Sequence, residues 1–161
     1  EAELRALGAD VVVVYSGLRG DDQAEAFEAA AAAVKLATGG AQIKLACNAV
    51  CGLSGELLAK CLAPGGTILT YGVMSREPMS VAGGQLLFKN LTYKGFHLGA
   101  WTANNTASLP AMWDFLIEAV ASGAFVFPSV DSEWPLTKIK EAVARAFESQ
   151  RNGKVLLRCA E

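Results

Sequence analysis

Three short apolar runs, Asp10-Val11-Val12-Val13-Val14-Tyr15, Ile43-Lys44-Leu45-Ala46-Cys47-Asn48 and Thr67-Ile68-Leu69-Thr70-Tyr71-Gly72, are separated by stretches with helical spacing. That alternation constrains the chain more than any other feature. Parallel strands need a long crossover between them, and a helix is the usual one. The expected fold class is therefore α/β with a parallel sheet. The first run, with four consecutive β-branched valines, reads as a strand buried on both faces. Asp21 and Asp22 offer caps for a helix reaching Leu36, with Phe27 and Val34 on its core face and Gly39-Gly40 ending it.

A second helix is expected from about Gly52 to Leu62, and Pro64-Gly65-Gly66 makes a tight turn into the third run. Residues 73–84 are looser and lead to the apolar turn Gln85-Leu86-Leu87-Phe88. Leu91 to Phe96 alternates enough to be a fourth strand, nearer a sheet edge. The tail holds helices at Pro110–Ser122 and Leu136–Gln150 and closes on the short strand Lys154–Arg158. There is no internal repeat and no linker long enough to mark a second independent domain.

Composition excludes several classes. The chain has 161 residues, 52% of them hydrophobic, enough for one substantial core. Fourteen basic against 16 acidic residues leave a net charge of -2. No basic run interleaves with aromatics, so no nucleic-acid partner is expected. No apolar stretch approaches the roughly 20 residues that span a bilayer, so no membrane is expected either. The four cysteines, Cys47, Cys51, Cys61 and Cys159, match neither paired zinc-ligand units nor a redox C-x-x-C; three of them fall in apolar surroundings, so buried thiols are expected ahead of metal ligands. Glu1-Ala2-Glu3-Leu4 reads as the inside of a helix and not as a signal peptide, so the chain is expected to be a fragment.

In a Rossmann-type sheet the strand order is 3-2-1-4-5-6 and a glycine-rich phosphate loop follows strand 1. No G-x-G-x-x-G occurs here, and Gly39-Gly40 and Gly65-Gly66 precede strands. If the four runs are strands 3 to 6, strand 3 has no neighbour and one edge of strand 4 is left unpaired. A complete small α/β domain with another strand order is the alternative.

The opening Leu4-x-x-Leu7-Gly8-Ala9-Asp10-x-Val12 resembles the LGAD-x-V turn of the medium-chain dehydrogenase/reductase superfamily. Three further segments are more specific. Lys44 to Val50 resembles the LALN-x-V strand of mitochondrial 2-enoyl thioester reductases. Leu62 to Ser75 is similar to their L-x-x-GGT-x-x-TYGGMS. Leu86 to Leu98, with Trp101, resembles their L-I-F-K to GFW-L-x-x-W block. The resemblance covers nearly the whole chain, more weakly at residues 16–40 and 102–150.

The resemblance implies an incomplete, doubly wound Rossmann-like sheet lacking its first two strands. Residues 1–133 would be a partial cofactor-binding domain, and residues 134–161 a helix and strand returning to an absent catalytic domain. It implies NADPH as cofactor and, as substrate, a trans-2-enoyl thioester on coenzyme A or acyl carrier protein. Tyr71, Gly72, Val73 and Met74 would line the nicotinamide half. Phe96, His97 and Leu98 would contact the nicotinamide amide, mainly through backbone, and Lys154 would meet the cofactor. Trp101 would border the acyl or nicotinamide pocket. The family's catalytic tyrosine lies in the N-terminal domain, so no catalytic residue is assigned here. Homodimerisation through edge strand 91–96 and a mitochondrial location follow from the same resemblance.

Two positions depart from the family, Val73 and Cys51, where it has glycines that let backbone approach a ligand closely. Simpler readings stand beside the functional ones. The imidazole of His97 need do nothing if the contact is through backbone, Tyr71 and Trp101 could equally pack in a core, and Lys154 could be a solvated charge. A quinone reductase of the same superfamily and a non-catalytic dimerisation module are the competing functions.

Overall fold

The computed structural model describes residues 1–13, 23–148 and 152–159. The chain packs as two compact units, Glu1–Asn104 and Asn105–Glu161.

The first unit follows the β–α alternation. A short helix α1 (Ala2–Ala6) precedes the long helix α2 (Gln23–Ala37), and then come β1 (Leu45–Asn48), α3 (Gly52–Cys61), β2 (Thr67–Thr70), α4 (Gly83–Leu87), β3 (Thr92–Gly95) and α5 (Leu98–Asn104). The three strands form one parallel sheet in the order β1-β2-β3. Leu45 pairs with Thr67, and Asn48 with Thr70; Thr67 pairs in turn with Thr92, and Thr70 with Gly95. This is the arrangement expected of strands 4, 5 and 6 of the doubly wound sheet, each joined to the next by a crossover.

Residues 10–13 depart from expectation: they form no strand, and no described residue pairs with them. A strand exists through its hydrogen bonds to a neighbour, and a β-branched run without one stays irregular. Val13 instead packs on the cluster of Phe27, Ala30 and Leu57 between α2 and α3. The expected contributions of Val14, Tyr15, Asp21 and Asp22 lie outside the described residues. The far edge of β1 carries no partner among the described residues, and Leu45 is 59% exposed there.

The sheet and α3 supply the main core. Ala46, Ile68 and Leu91 meet Ala59 and Leu62 of the α3 region, with Tyr93 and Met79 packed around them. Ile68 and Leu62 are enclosed, and each contributes about 2 kcal/mol of transfer free energy. Small residues on α3 bring the helix close to its neighbours. A Cβ on Gly55 would collide with the Met79 sulfur, so the loop after β2 lies directly against this helix.

The second unit contains α6 (Leu109–Ala121), β4 (Val130–Pro135), α7 (Ile139–Phe147) and β5 (Lys154–Arg158). Strands β4 and β5 pair in parallel with a shift between Val130 and Ser132. The β4 strand was not expected, because Asp131, Ser132, Glu133 and Pro135 dilute its apolar character. The expected helix from Leu136 begins with one tight turn before α7, and Gln150 lies outside the described residues. On α6, Trp113, Leu116, Ile117 and Val120, with Phe125 and Phe127 beyond it, line an open apolar groove of about 570 Å³.

The cysteines do not behave alike. Cys51 is buried and Cys61 half-buried, but Cys47 and Cys159 are exposed, so fewer thiols are buried than the apolar surroundings of three of them suggest. Cys47 faces outward because β1 alternates, burying Ala46 and Asn48 and exposing Leu45 and Cys47.

Candidate cofactor site

Parallel register places Asn48, Thr70 and Gly95 side by side at the carboxyl ends of β1, β2 and β3. Open α/β sheets bind ligands outside these ends. The three turns that follow, residues 49–51, 71–75 and 96–98, form one connected surface.

Backbone hydrogen bonds join the first two turns. Tyr71 N donates to Asn48 O (3.0 Å), Met74 N to Ala49 O (3.2 Å) and Ser75 N to Val50 O (3.0 Å). Ser75 Oγ adds a 2.7 Å bond to Val50 O. The third turn joins through Phe96 N, which donates to Thr70 O at 2.9 Å, and Trp101 N donates to His97 O at 2.9 Å. Tyr71, Gly72, Val73, Met74, Phe96, His97, Leu98 and Trp101 thus occupy one end of one sheet. Lys154 opens β5 in the second unit.

The side chains here are apolar yet open. Tyr71 is 55% exposed, Met74 80%, Leu98 57% and Phe96 39%. Tyr71 therefore packs into neither core of the described residues. Trp101 is half-buried. A cluster of exposed apolar side chains at strand ends, held on a hydrogen-bonded frame, suits a flat organic ring.

The glycine departures differ in their consequences. Among the described residues, Cys51, Arg76 and Asn90 are the non-glycines with positive φ. Val73 is not one of them, so its backbone suits any residue. Cys51 has φ 64° and ψ -159°, a region that glycine alone occupies readily. The chain thus keeps a glycine-type backbone at Cys51 and places a thiol on it. That sulfur lies 3.5 Å from Gly72 O, again linking the first turn to the second.

Two features were not legible in the sequence. The imidazole of His97 is not idle: its Nδ1 accepts from Ala100 N at 3.1 Å and caps the start of α5. The segment after Met74 is strapped along α3. Ser80 N donates to Glu56 Oε1 at 2.9 Å, and a Cβ on Gly52 would meet the Glu77 carboxylate at 3.0 Å. A carboxylate beside the first residue of α3 is favoured by the partial positive charge of a helix start.

Titratable groups with displaced pKa values lie elsewhere. Burial pushes the Cys61 thiol up, against a lowering by Lys89. The Lys60 ammonium, hydrogen-bonded to Glu28, holds that carboxyl below its usual range. Neither group is on the turns.

The family model for zinc-binding dehydrogenases matches residues 1–118. The chain belongs to that family. The medium-chain dehydrogenase/reductase superfamily contains it, as the LGAD turn indicates. The metal in the family's name finds no donor set here: among the described residues no three His, Cys, Asp or Glu side chains come together. The mitochondrial enoyl-[acyl-carrier-protein] reductase of Dictyostelium discoideum is 31% identical over 96% of this chain and 41% of its own length. Etr1p, from the mitochondrial 2-enoyl thioester reductase of Candida tropicalis, has been solved with NADP and crotonyl-CoA. That complex superposes with a TM-score of 0.69 at 25% identity, covering 90% of this chain and 40% of Etr1p. A putative NADPH:quinone reductase from Bacillus thuringiensis gives a TM-score of 0.66 at 26% identity, over 76% of this chain and 37% of that protein. The chain therefore spans about two fifths of the length of these relatives.

Proposed function

We propose that this chain is the C-terminal, cofactor-binding part of an NADPH-dependent reductase of trans-2-enoyl thioesters, acting on acyl-CoA or acyl carrier protein. The observation that carries the reading is the joined surface of Tyr71–Met74 and Phe96–Leu98 at the ends of β2 and β3. The two blocks that resemble the enoyl reductases most specifically fold into adjacent turns of one site. The Dictyostelium enzyme's name and the NADP and crotonyl-CoA bound to Etr1p support the cofactor and the substrate class.

When bound, NADPH supplies a hydride for the β-carbon of the enoyl thioester, while the α-carbon takes a proton. This chain's part is to orient the nicotinamide. The side chains of Tyr71, Val73 and Met74 shield one side of it from water, and the backbone of Phe96–Leu98 offers its amide hydrogen bonds. Trp101 borders the acyl or nicotinamide pocket, and Lys154 contributes a positive charge to the cofactor. In this reading residues 1–133 belong to the cofactor domain and residues 134–161 return to a catalytic domain that carries the reacting tyrosine. Strand β3, outermost in the sheet, is the edge through which two copies pair. The Etr1p/Etr2p heterodimer of Candida tropicalis supports this association. A mitochondrial location follows the names of the relatives.

A quinone reductase is the second reading, favoured by the Bacillus structure and by an NADPH quinone oxidoreductase of Kluyveromyces marxianus that is 30% identical over 63% of this chain. The test is to express the complete reading frame and follow NADPH oxidation with crotonyl-CoA and with a quinone in parallel. Turnover of crotonyl-CoA alone supports the enoyl reductase, and turnover of the quinone alone moves the chain to the second reading. A complete protein that binds no NADPH leaves only the association module.

A further inference from the structure

Asn48 is the one polar residue among the described residues that is buried as a whole, at 1% exposure. Both ends of its amide are engaged. Oδ1 accepts from Cys51 N at 2.9 Å and from Val50 N at 3.3 Å. Nδ2 donates to Thr70 Oγ1 at 3.1 Å, with the sulfurs of Cys51 and Met79 at 3.5 and 3.7 Å. One amide therefore closes the turn from β1 into α3, grips the last residue of β2, and touches the strap that lies along α3.

The consequence runs through backbone. By holding Val50 N and Cys51 N, Asn48 sets the directions of the Ala49 and Val50 carbonyls. Those carbonyls receive Met74 N and Ser75 N, and Asn48 O receives Tyr71 N. Every backbone bond that ties the Tyr71–Met74 turn to β1 ends on Asn48 or on a residue whose orientation Asn48 fixes. On the other side, Thr70 O receives Phe96 N, so Asn48 also reaches the third turn through Thr70. A buried polar side chain costs free energy unless fully hydrogen-bonded, and once satisfied it specifies a single local geometry.

We infer that Asn48 is a positioning residue for the nicotinamide half of the cofactor. It touches no ligand itself and acts by holding the Tyr71–Met74 turn at a fixed spacing from the Ala49–Cys51 turn. The inference rests on the cofactor-binding reading above.

The test uses the protein from the complete reading frame. Affinities for NADPH and for 2′,5′-ADP, which lacks the nicotinamide half, are measured by calorimetry for the native protein and for Asn48→Ala. The expected result is a loss of NADPH affinity of roughly tenfold, the scale of a removed buried hydrogen-bond network, with 2′,5′-ADP affinity unchanged. Proportional loss of both ligands would mean that Asn48 only supports the fold, and loss of neither would mean that the turns hold without it; either result overturns the inference. Should Asn48→Ala not fold, Thr70→Val removes the Nδ2 bond alone, and a smaller loss confined to NADPH is expected; unchanged NADPH affinity overturns the inference. Native protein that binds neither ligand would instead overturn the cofactor reading, and the role of Asn48 with it.

Discussion

A Cβ placed on Gly72 would lie 2.7 Å from the carbonyl oxygen of Ala49, and 3.3 Å from the Ala49 Cα and carbonyl carbon. Contact between two backbones, not an unusual dihedral angle, is what demands glycine here. The bonds from Tyr71 N to Asn48 O and from Met74 N to Ala49 O clamp the two turns on either side, so neither can retreat cheaply. Gly72→Ala is expected to cost about 1–3 kcal/mol, the usual penalty of overpacking. In the complete protein it should also weaken NADPH binding. Urea unfolding checks the first expectation; an unchanged midpoint would show that the turns can part.

Cys51 allows a sharper comparison. Its φ of 64° and ψ of -159° belong to a region that costs a side chain about 1–3 kcal/mol. Glycine ordinarily destabilises regular structure by about 0.5–1 kcal/mol relative to alanine. At position 51 that order should reverse. Cys51→Gly and Cys51→Ala both remove the thiol near Gly72 O, so their difference isolates the backbone. Cys51→Gly is expected to be the more stable by about 1 kcal/mol or more, read from denaturation midpoints. The opposite order would mean that the strain is relieved elsewhere in the turn.

The strands around Ala46 and Ile68 were legible because each is a compact apolar run bounded by turn residues, and the strand around Tyr93 because its residues alternate. Residues 10–13 misled for a physical reason: β-branched residues favour a strand, but pairing makes one, and pairing is not local. Strand β4 hid for the opposite reason. Its sequence is polar, and it is stabilised by Arg145 on α7 and by pairing with β5, both distant in sequence. The site divides in the same way. Tyr71–Met74 and Phe96–Leu98 could be placed because they end strands. The link from Asn48 to Thr70 and the strap from Glu77 to Ser80 bridge separate segments, which no local pattern reveals. His97 escaped notice as a cap because ring nitrogens are not the usual acceptors at helix starts.

Tyr93 ties β3 to α4. Its hydroxyl donates to Gln85 Oε1 at 2.6 Å. Burial raises its pKa above the ordinary value, and the negative charge of Glu56 raises it further. A raised folded-state pKa contributes stability that is full below the ordinary tyrosine pKa and is lost as pH rises through the folded value. Stability should therefore fall across alkaline pH, from about pH 10 upward. Tyr93→Phe should flatten that fall while leaving the neutral-pH midpoint lower by the lost hydrogen bond. Urea midpoints measured along the alkaline limb decide it, and an equally steep fall in Tyr93→Phe would assign the loss to other groups.

In the second unit the deciding pair is Arg145 and Asp131. Arg145 Nε donates to Asp131 Oδ2 at 2.9 Å, and its Nη2 donates to Oδ1. The carboxylate is nearly enclosed, with 8% of its side chain exposed, whereas Arg145 keeps 36%. The guanidinium is held charged well above its ordinary range by Asp131 first and then by Glu148. Removing the arginine leaves a largely enclosed carboxylate short of its main cation, so Arg145→Ala is expected to lower the unfolding midpoint. Arg145→Lys keeps the charge but cannot offer the two-pronged donor, and should recover only part of that loss. Because the carboxylate is shielded from water, added salt should change the Arg145→Ala penalty little. If molar salt instead erased the penalty, the pair would be acting as a solvated surface contact. The joining of α7 to β4 would then rest on the burial of Ala142 and its apolar neighbours, and Arg145→Lys would be as stable as the native chain.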